Sequence, residues 1–264
     1  SISMSLRQGQ WRKSLKLPVS LTLPRMHRNY LQSGSWQKLL DVVRHDLARM
    51  PPMNDSNVVR VISRFSATAP YGGYTQGNLY LLYAIGLVYH DEQTIYWSLH
   101  NAVRFVHPFG PTTLPSARVI PAWVIEVVTP YAFFDDMTWS LLIRLRWIYV
   151  LFGQTFEARD GLLAVWDFVI AGYDNLYCMC AALLFQASVM DFTDCGCPHE
   201  RASRIMSKKV LTTHATAAII SRAQQFLQCT GAPSTSTAQQ ARLLTRRMRT
   251  ADRGSTPEPT RSTS

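Results

Sequence analysis

Apolar residues recur at helical spacing along the central part of the chain, and this pattern constrains the fold more than any other feature. Two stretches match the i, i+3, i+4, i+7 pattern: Val58, Val61, Ile62 and Phe65, and Leu162, Val165, Trp166 and Val169. Such spacing predicts amphipathic helices. Strand signals are scarce, because the β-rich stretch 119–128 contains Pro121 and does not alternate polar with apolar residues. We therefore predict an all-α fold.

Five further segments are predicted to be helical. Residues 36–47 carry the same apolar spacing and end before Pro51 and Pro52, which cannot continue a helix. Asp91 is suited to cap the start of a helix that buries apolar residues up to Val106. The remaining predicted helices cover residues 79–89, 139–152 and 175–190.

The length and composition fit one large domain with tails. The chain has 264 residues, of which 47% are hydrophobic and 17% charged, as in ordinary globular proteins. We place the domain at 30–230, after a basic N-terminal tail at 1–29. Residues 231–264 are rich in Ser, Thr, Pro and Arg, which predicts disorder. For a short basic helix around 241–248, a solvated tail is favoured over a calmodulin-like or lipid-binding role.

The net charge of +10 is unevenly distributed. Residues 1–30 carry six basic and no acidic residues, and residues 200–264 carry eleven basic and three acidic residues. The segment between them carries ten basic and fourteen acidic residues. A nucleic-acid-binding protein is expected to carry its basic surface on the folded domain, so this function is disfavoured. Basic tails could attract an anionic membrane surface, although solvated tails are the favoured interpretation.

Neither a membrane anchor nor a metal site is predicted. The longest apolar segment, residues 79–89, is shorter than the ~20 residues of a spanning helix, and the N-terminus has no secretory signal pattern. We therefore expect a cytoplasmic protein with reduced thiols. Cys195 and Cys197 have Cys-x-Cys spacing, which is not typical of structural zinc. The sequence also lacks a phosphate-binding loop motif.

Three segments hold polar residues in apolar surroundings. The first ends with Asp46 and Arg49, the second contains Tyr74-Thr75-Gln76-Gly77, and the third joins Arg146 and Trp147 to a later Trp166-Asp167-Phe168. At these residues the chain resembles the TBC domain, a family of GTPase-activating proteins for Rab GTPases. The segments match its arginine-finger, glutamine-finger and tryptophan-rich motifs, in the family's order, over about residues 33–190.

The resemblance implies that Arg49 and Gln76 are the catalytic residues. An arginine supplied in trans stabilises the charge on the transferring phosphoryl group and contributes roughly 10³ to 10⁵ in rate. A carboxamide both donates and accepts hydrogen bonds, which suits Gln76 for orienting the attacking water. In this family the glutamine finger replaces the GTPase's own glutamine in that task.

Supporting roles are expected for Asp46, Tyr74 and Gly77. Arg49 lies at the end of a helix before a Pro-Pro turn, so we expect its side chain to project into the partner. Asp46, one turn earlier, could reach Arg49 or nearby backbone. Tyr74 would brace the loop, while Gly77 would permit close approach of the partner's backbone. Arg146, Trp147, Trp166 and Asp167 are expected to be structural, with Asp167 pairing a buried cation or capping a neighbouring segment.

Alternatives remain for both function and site. Arg49 could simply be a cation favoured at a helix C-terminus, and Gln76 a loop amide that satisfies backbone groups. Met50-Pro51-Pro52 stands where the family usually has Thr, an aromatic and Pro, and the link from Arg49 to Gln76 is short. A binding module or scaffold without catalysis is therefore the main alternative. A basic nucleic-acid-associated protein is a remoter one.

The resemblance also implies partners and setting. The partner is a Rab-type small GTPase, which itself holds GTP and Mg²⁺, so no cofactor of the chain's own is expected. The family's setting is vesicle trafficking. Peripheral association with endomembranes would follow through the partner or the basic tails. Which Rab is recognised does not follow from the sequence.

Overall fold

The structure, a computed structural model, describes residues 2–26, 34–53, 55–68, 73–106, 123–124, 142–188 and 195–230. Within these ranges the fold is all-α, as predicted. Its helices are α1 Met4–Ser14, α2 Gly34–Leu47, α3 Asp55–Thr68, α4 Gly77–Gly86, α5 Glu92–Val106, α6 Arg159–Val169, α7 Tyr173–Ser188, α8 Pro198–Ser207 and α9 Thr213–Thr230. One π-helical turn covers Arg144–Ile148.

The helices with clear apolar spacing form where they were predicted. Helices α2, α3, α5 and α6 confirm their predictions, and α4 and α7 lie within a few residues of theirs. The cap before α5 is also confirmed, because Asp91 Oδ1 accepts a hydrogen bond of 2.8 Å from the Thr94 amide. Helices α8 and α9 were not predicted individually. The stretch 119–128 and the tail 231–264, including residues 241–248, fall outside the described residues except for 123–124.

One hydrophobic core joins early and late parts of the chain. Helix α7 packs along α9, and α6 contacts α1, α4, α7 and α9. Trp11, Trp147 and Trp166 are fully buried in this core. Because a core of this kind depends on all the elements that cover it, the two ends of the described chain contribute to one folding unit.

The N-terminal segment differs from the solvated tail that its charge predicted. Residues 4–14 form helix α1, and Trp11, Leu15 and Leu17 are buried against the core. The Trp11 ring stacks on Trp166 with 5.0 Å between ring centroids. The prediction of a tail was wrong over these residues because apolar side chains placed among the bases supply a buried face.

The segment predicted as a helix over 139–152 ends early. Residues 139–141 lie outside the described chain, the π-helical turn ends at Ile148, and Leu151 and Phe152 have φ values of 41° and 61°. Both left-handed residues are fully buried. Their burial supplies the stabilisation that a backbone conformation unfavourable for side chains requires.

None of the helices within the described ranges is long and apolar enough to span a membrane.

Candidate functional site

Arg49 lies in the tight turn that follows helix α2. The helix ends at Leu47, after which the Arg49 amide donates to Asp46 O at 3.1 Å and the Met50 amide to Leu47 O at 3.0 Å. These bonds close the last turn with three-residue spacing, as helix ends often do. Pro51 then prevents continuation. Arg49 is consequently exposed at the tip of the turn.

A hydrogen bond joins this turn to the second motif. Tyr74 Oη donates to Asp46 Oδ2 at 2.7 Å, across 28 residues of sequence. Asp46 is only 9% exposed, so its carboxylate needs such a partner. The contact brings together the segments that carry Arg49 and Gln76. Burial, followed by the hydrogen bond to Asp46, raises the pKa of Tyr74 and keeps its hydroxyl protonated as the donor.

The Arg49 side chain does not take the orientation expected from the sequence. Its Nη2 lies 2.5 Å from His45 Nε2, one turn back on the same helix. Asp46, expected as a possible partner for Arg49, is instead turned inward to Tyr74. Because His45 occupies the neighbouring i−4 position on the exposed face, it is the group within reach of the guanidinium. In this structure Arg49 therefore lies against its own helix rather than projecting away from it.

Gln76 lies at the start of helix α4, with its side chain exposed. The loop before it is held by Asn78, whose Oδ1 accepts a hydrogen bond of 2.6 Å from the Thr75 amide and one of 2.8 Å from Thr75 Oγ1. Asn78 is buried. No role was predicted for Asn78, although an amide in the first turn of an apolar helix indicates such local capping. The arrangement fixes the backbone on both sides of Gln76.

Two glycines shape this loop in different ways. Gly73 has φ of +94°, a conformation that side chains rarely adopt. At Gly77 a Cβ would lie 3.4 Å from Val150 Cγ1, so that position is packed against the segment after the π-helical turn. The close approach at Gly77 is therefore made by the Val150 side chain of this chain, whereas the sequence predicted an approach by the partner's backbone. Gly72 falls outside the described residues.

A groove adjoins the Arg49 turn. It encloses about 560 Å³ between α2 and α3, and its lining includes Arg44, Leu47, Ala48 and Val59. Leu47 and Val59 supply apolar surface, while Arg44 supplies an exposed positive charge. A partner that contacts Arg49 would meet this mixed surface.

The third motif lies in the core. Trp147 and Trp166 are buried, whereas Arg146 is exposed. Asp167 receives hydrogen bonds from Arg7 Nε at 2.9 Å, Arg7 Nη2 at 2.9 Å and Trp11 Nε1 at 2.7 Å. Asp167 thus pairs with a cation that is itself largely buried. That cation is in α1, outside the region that the motifs cover.

The cysteines are separate from this site. Cys178 and Cys180 are buried in α7, while Cys195 and Cys197 precede α8, with Cys197 at its N-cap. Burial raises the pKa of the Cys180 thiol and keeps it protonated. Among the residues that the structure describes, His, Cys, Asp and Glu form no group of three or more that could hold a metal ion.

Comparison with known proteins gives one family. A model described as the Rab-GTPase-TBC domain matches residues 20–190, which is more than half of the chain. Comparison with curated proteins gives no match.

Proposed function

Because this chain belongs to the Rab-GTPase-TBC domain family, we propose that it binds a Rab-family GTPase and stimulates GTP hydrolysis, with Arg49 and Gln76 supplied in trans. The observation that carries the proposal is the Tyr74–Asp46 hydrogen bond of 2.7 Å. It holds the turn bearing Arg49 against the loop bearing Gln76 while both side chains remain exposed. A partner could therefore meet both side chains on one surface.

Arg49 would stabilise the charge that develops on the transferring phosphoryl group. To do so, its guanidinium must leave His45 and enter the nucleotide site of the partner. The contact being exchanged is exposed, so its loss costs little, whereas a charge-assisted bond to phosphate in a closed site is strong. Binding of the GTPase would thus supply the free energy for this change of rotamer.

Gln76 would orient the attacking water. The loop fixed by Asn78 leaves few backbone conformations, so the carboxamide starts close to its working position. The GTP and Mg²⁺ belong to the partner, and this chain needs no cofactor of its own for these roles. We place the activity in vesicle trafficking, on the cytoplasmic side of endomembranes, where the partner would recruit the chain peripherally.

A binding module without catalysis is the second candidate. The observation that favours it is the Arg49–His45 contact, which keeps the guanidinium on its own helix. The residues after Arg49, Met50-Pro51-Pro52, also depart from the usual motif. In that case the same surface would hold a GTPase or scaffold protein and leave its turnover unchanged.

Single-turnover GTP hydrolysis by a panel of purified Rab proteins tests the proposal. We expect at least one Rab to be accelerated, and Arg49→Ala and Gln76→Ala each to reduce that acceleration by about 10² or more. Arg159→Ala and Gln93→Ala are the matched controls, because both residues are exposed on other helices. These controls should leave the rate unchanged.

Binding measured in parallel separates the two candidates. Acceleration that persists in Arg49→Ala would contradict the finger assignment. Binding of a Rab without any acceleration would establish the non-catalytic module. If no Rab binds, GTPase activation and GTPase binding fail together, and only binding of a scaffold protein is left.

A further inference from the structure

Two thiols that the candidate functional site does not use lie next to each other before helix α8. Cys195 is partly exposed and Cys197 is exposed, and both are free of a disulfide. The other cysteines differ, because Cys178 and Cys180 are buried in α7 and Cys229 stands alone in the last turn of α9. A thiol reacts with a dissolved oxidant only where the oxidant can reach its sulfur. Cys195 and Cys197 are therefore neighbouring thiols that are both open to such a reaction.

The spacing of the two cysteines permits a disulfide between them. One residue separates them, so their Cα atoms can lie no more than about 7 Å apart. Disulfides usually join Cα atoms that are about 4.4–6.8 Å apart, so a bent segment brings this pair within range. The chain does bend at Gly196 and Cys197. Gly196 has no Cβ, which leaves its backbone free to adjust as the two sulfur atoms approach each other.

The first turn of α8 holds this segment at the surface. Cys197 is the N-cap of the helix, and its Sγ accepts a hydrogen bond of 3.5 Å from the Glu200 amide. In return, the Gly196 amide donates to Glu200 Oε2 at 3.0 Å. The bond to sulfur is long and exposed, so a disulfide can replace it at little cost. The apolar face of α8 stays in the core through Ala202 and Ile205.

We propose that Cys195 and Cys197 form a modification site that a glutathione-type disulfide oxidises to an internal disulfide. The Cys197 thiolate attacks one sulfur of the oxidant, a new S–S bond forms, the S–S bond of the oxidant breaks, and one glutathione thiolate leaves. The Cys195 thiolate then attacks Cys197 Sγ and displaces the second glutathione. The two protein thiols give up two electrons and two protons, and both pass to the two glutathione molecules released. This site is independent of Arg49 and Gln76.

Incubation of the native full chain with glutathione disulfide tests the proposal. The remaining thiols are then alkylated after denaturation, and the chain is cleaved before Asp194 and after Arg201. This cleavage gives a peptide of residues 194–201, in which Cys195 and Cys197 are the only cysteines. Mass spectrometry should find this peptide lighter by two hydrogen atoms and without alkylation, whereas the buried thiols of Cys178 and Cys180 should be alkylated.

Serine variants assign the two steps. Cys195→Ser keeps the attacking thiol but lacks the second one, so a glutathione adduct on Cys197 should persist. Cys197→Ser should give no internal disulfide. Cys229→Ser is the matched control, because it removes a partly exposed thiol outside the pair, and it should leave the yield of the internal disulfide unchanged.

Three results would overturn the proposal. They are no oxidation of either thiol, a glutathione adduct that persists in the unsubstituted chain without closure, and a disulfide from Cys195 or Cys197 to any other cysteine. Circular dichroism of each variant shows that it is folded.

Discussion

At the scale of single residues, the hydrogen bond between Tyr74 and Asp46 does more than brace a loop. Asp46 is largely buried and Tyr74 is half-buried, so each group satisfies the other where water has limited access. An isolated carboxylate at that position would be costly. The bond thus contributes to the stability of the fold and to the position of Arg49 relative to Gln76.

Tyr74→Phe should therefore lower the free energy of unfolding by about 1–3 kcal/mol, because the Asp46 carboxylate would be left buried without its donor. Urea denaturation measures this change. Tyr83→Phe on α4 is the matched control, since no described residue hydrogen-bonds the Tyr83 hydroxyl. The midpoint of its urea denaturation should hardly change. Equal stability of Tyr74→Phe and the unsubstituted protein would show that the bond contributes nothing.

Alkaline pH should destabilise the protein through its buried tyrosines. Burial raises the pKa of Tyr74 and raises that of Tyr89 to about 12, while tyrosines in the unfolded chain ionise near 10. Below pH ~10 both states are protonated; above it the unfolded chain loses protons first, so the free energy of unfolding falls as pH rises. The decrease should reach about 1.4 kcal/mol per pH unit for each such group.

Urea denaturation from pH 9 to 11 measures this slope. The variant Tyr89→Phe should lose less stability across that range than the unsubstituted protein. The unfolding free energy of this variant should still fall with pH, because other tyrosines also have raised pKa values: Tyr96, Tyr149, Tyr173 and Tyr177. Identical slopes in the two proteins would contradict the assignment to Tyr89.

At the scale of helices, α1 is held to α6 by a buried ion pair with an aromatic stack beside it. The Arg7 and Asp167 side chains are 11% and 13% exposed, and Trp11 donates to the same carboxylate. Removing one partner of such a pair leaves the other charge uncompensated. The attachment of α1 therefore depends strongly on these residues.

Arg7→Ala should cost about 3 kcal/mol of unfolding free energy, or more. Lys13→Ala on the same helix is the control, because Lys13 is exposed and should contribute within about 0.5 kcal/mol. Chemical denaturation of both variants gives the comparison. A cost for Arg7→Ala no larger than that of the control would mean that α1 is not anchored by the pair.

Close packing of α6 against α9 gives a second prediction at this scale. A Cβ added to Gly161 would lie 2.7 Å from Thr216 Oγ1, so Gly161→Ala should destabilise the protein by about 1–3 kcal/mol. Adding Thr216→Ala should recover part of that loss. Gly9→Ala in α1 meets nothing within 4 Å and should instead stabilise by about 0.5–1 kcal/mol. The same sign for both glycine variants would contradict the packing.

The elements also show which features follow from sequence. Helices with one apolar face, such as α5 with its Asp91 cap, depend on local spacing and could be predicted. The end of the π-helical turn could not be predicted, because Leu151 and Phe152 adopt left-handed backbone conformations that are stabilised by burial among distant residues. The motifs indicated Arg49 and Gln76, whereas the contact of Arg49 with His45 depends on Asp46 facing inward to Tyr74.

At the scale of the whole molecule, the folded unit extends beyond the region that the family model matches. That region covers residues 20–190, yet α1 precedes it and α8 and α9 follow it. Trp11 and Phe226, both fully buried, come from these flanking helices. The basic charge of residues 1–30 thus belongs partly to a packed helix, which is why charge alone misplaced the start of the fold.

A fragment of residues 20–190 should therefore fail to fold cooperatively, while a fragment of residues 1–230 should unfold like the full chain. The shorter fragment would lose α9, which covers α7, and would expose Asp167 without Arg7 and Trp11. Because one core shared by all these helices unfolds as a unit, partial removal costs more than the contacts of the missing helices alone. Circular dichroism during thermal unfolding distinguishes the fragments. A sharp transition in residues 20–190 near that of the full chain would show that the flanking helices are accessory.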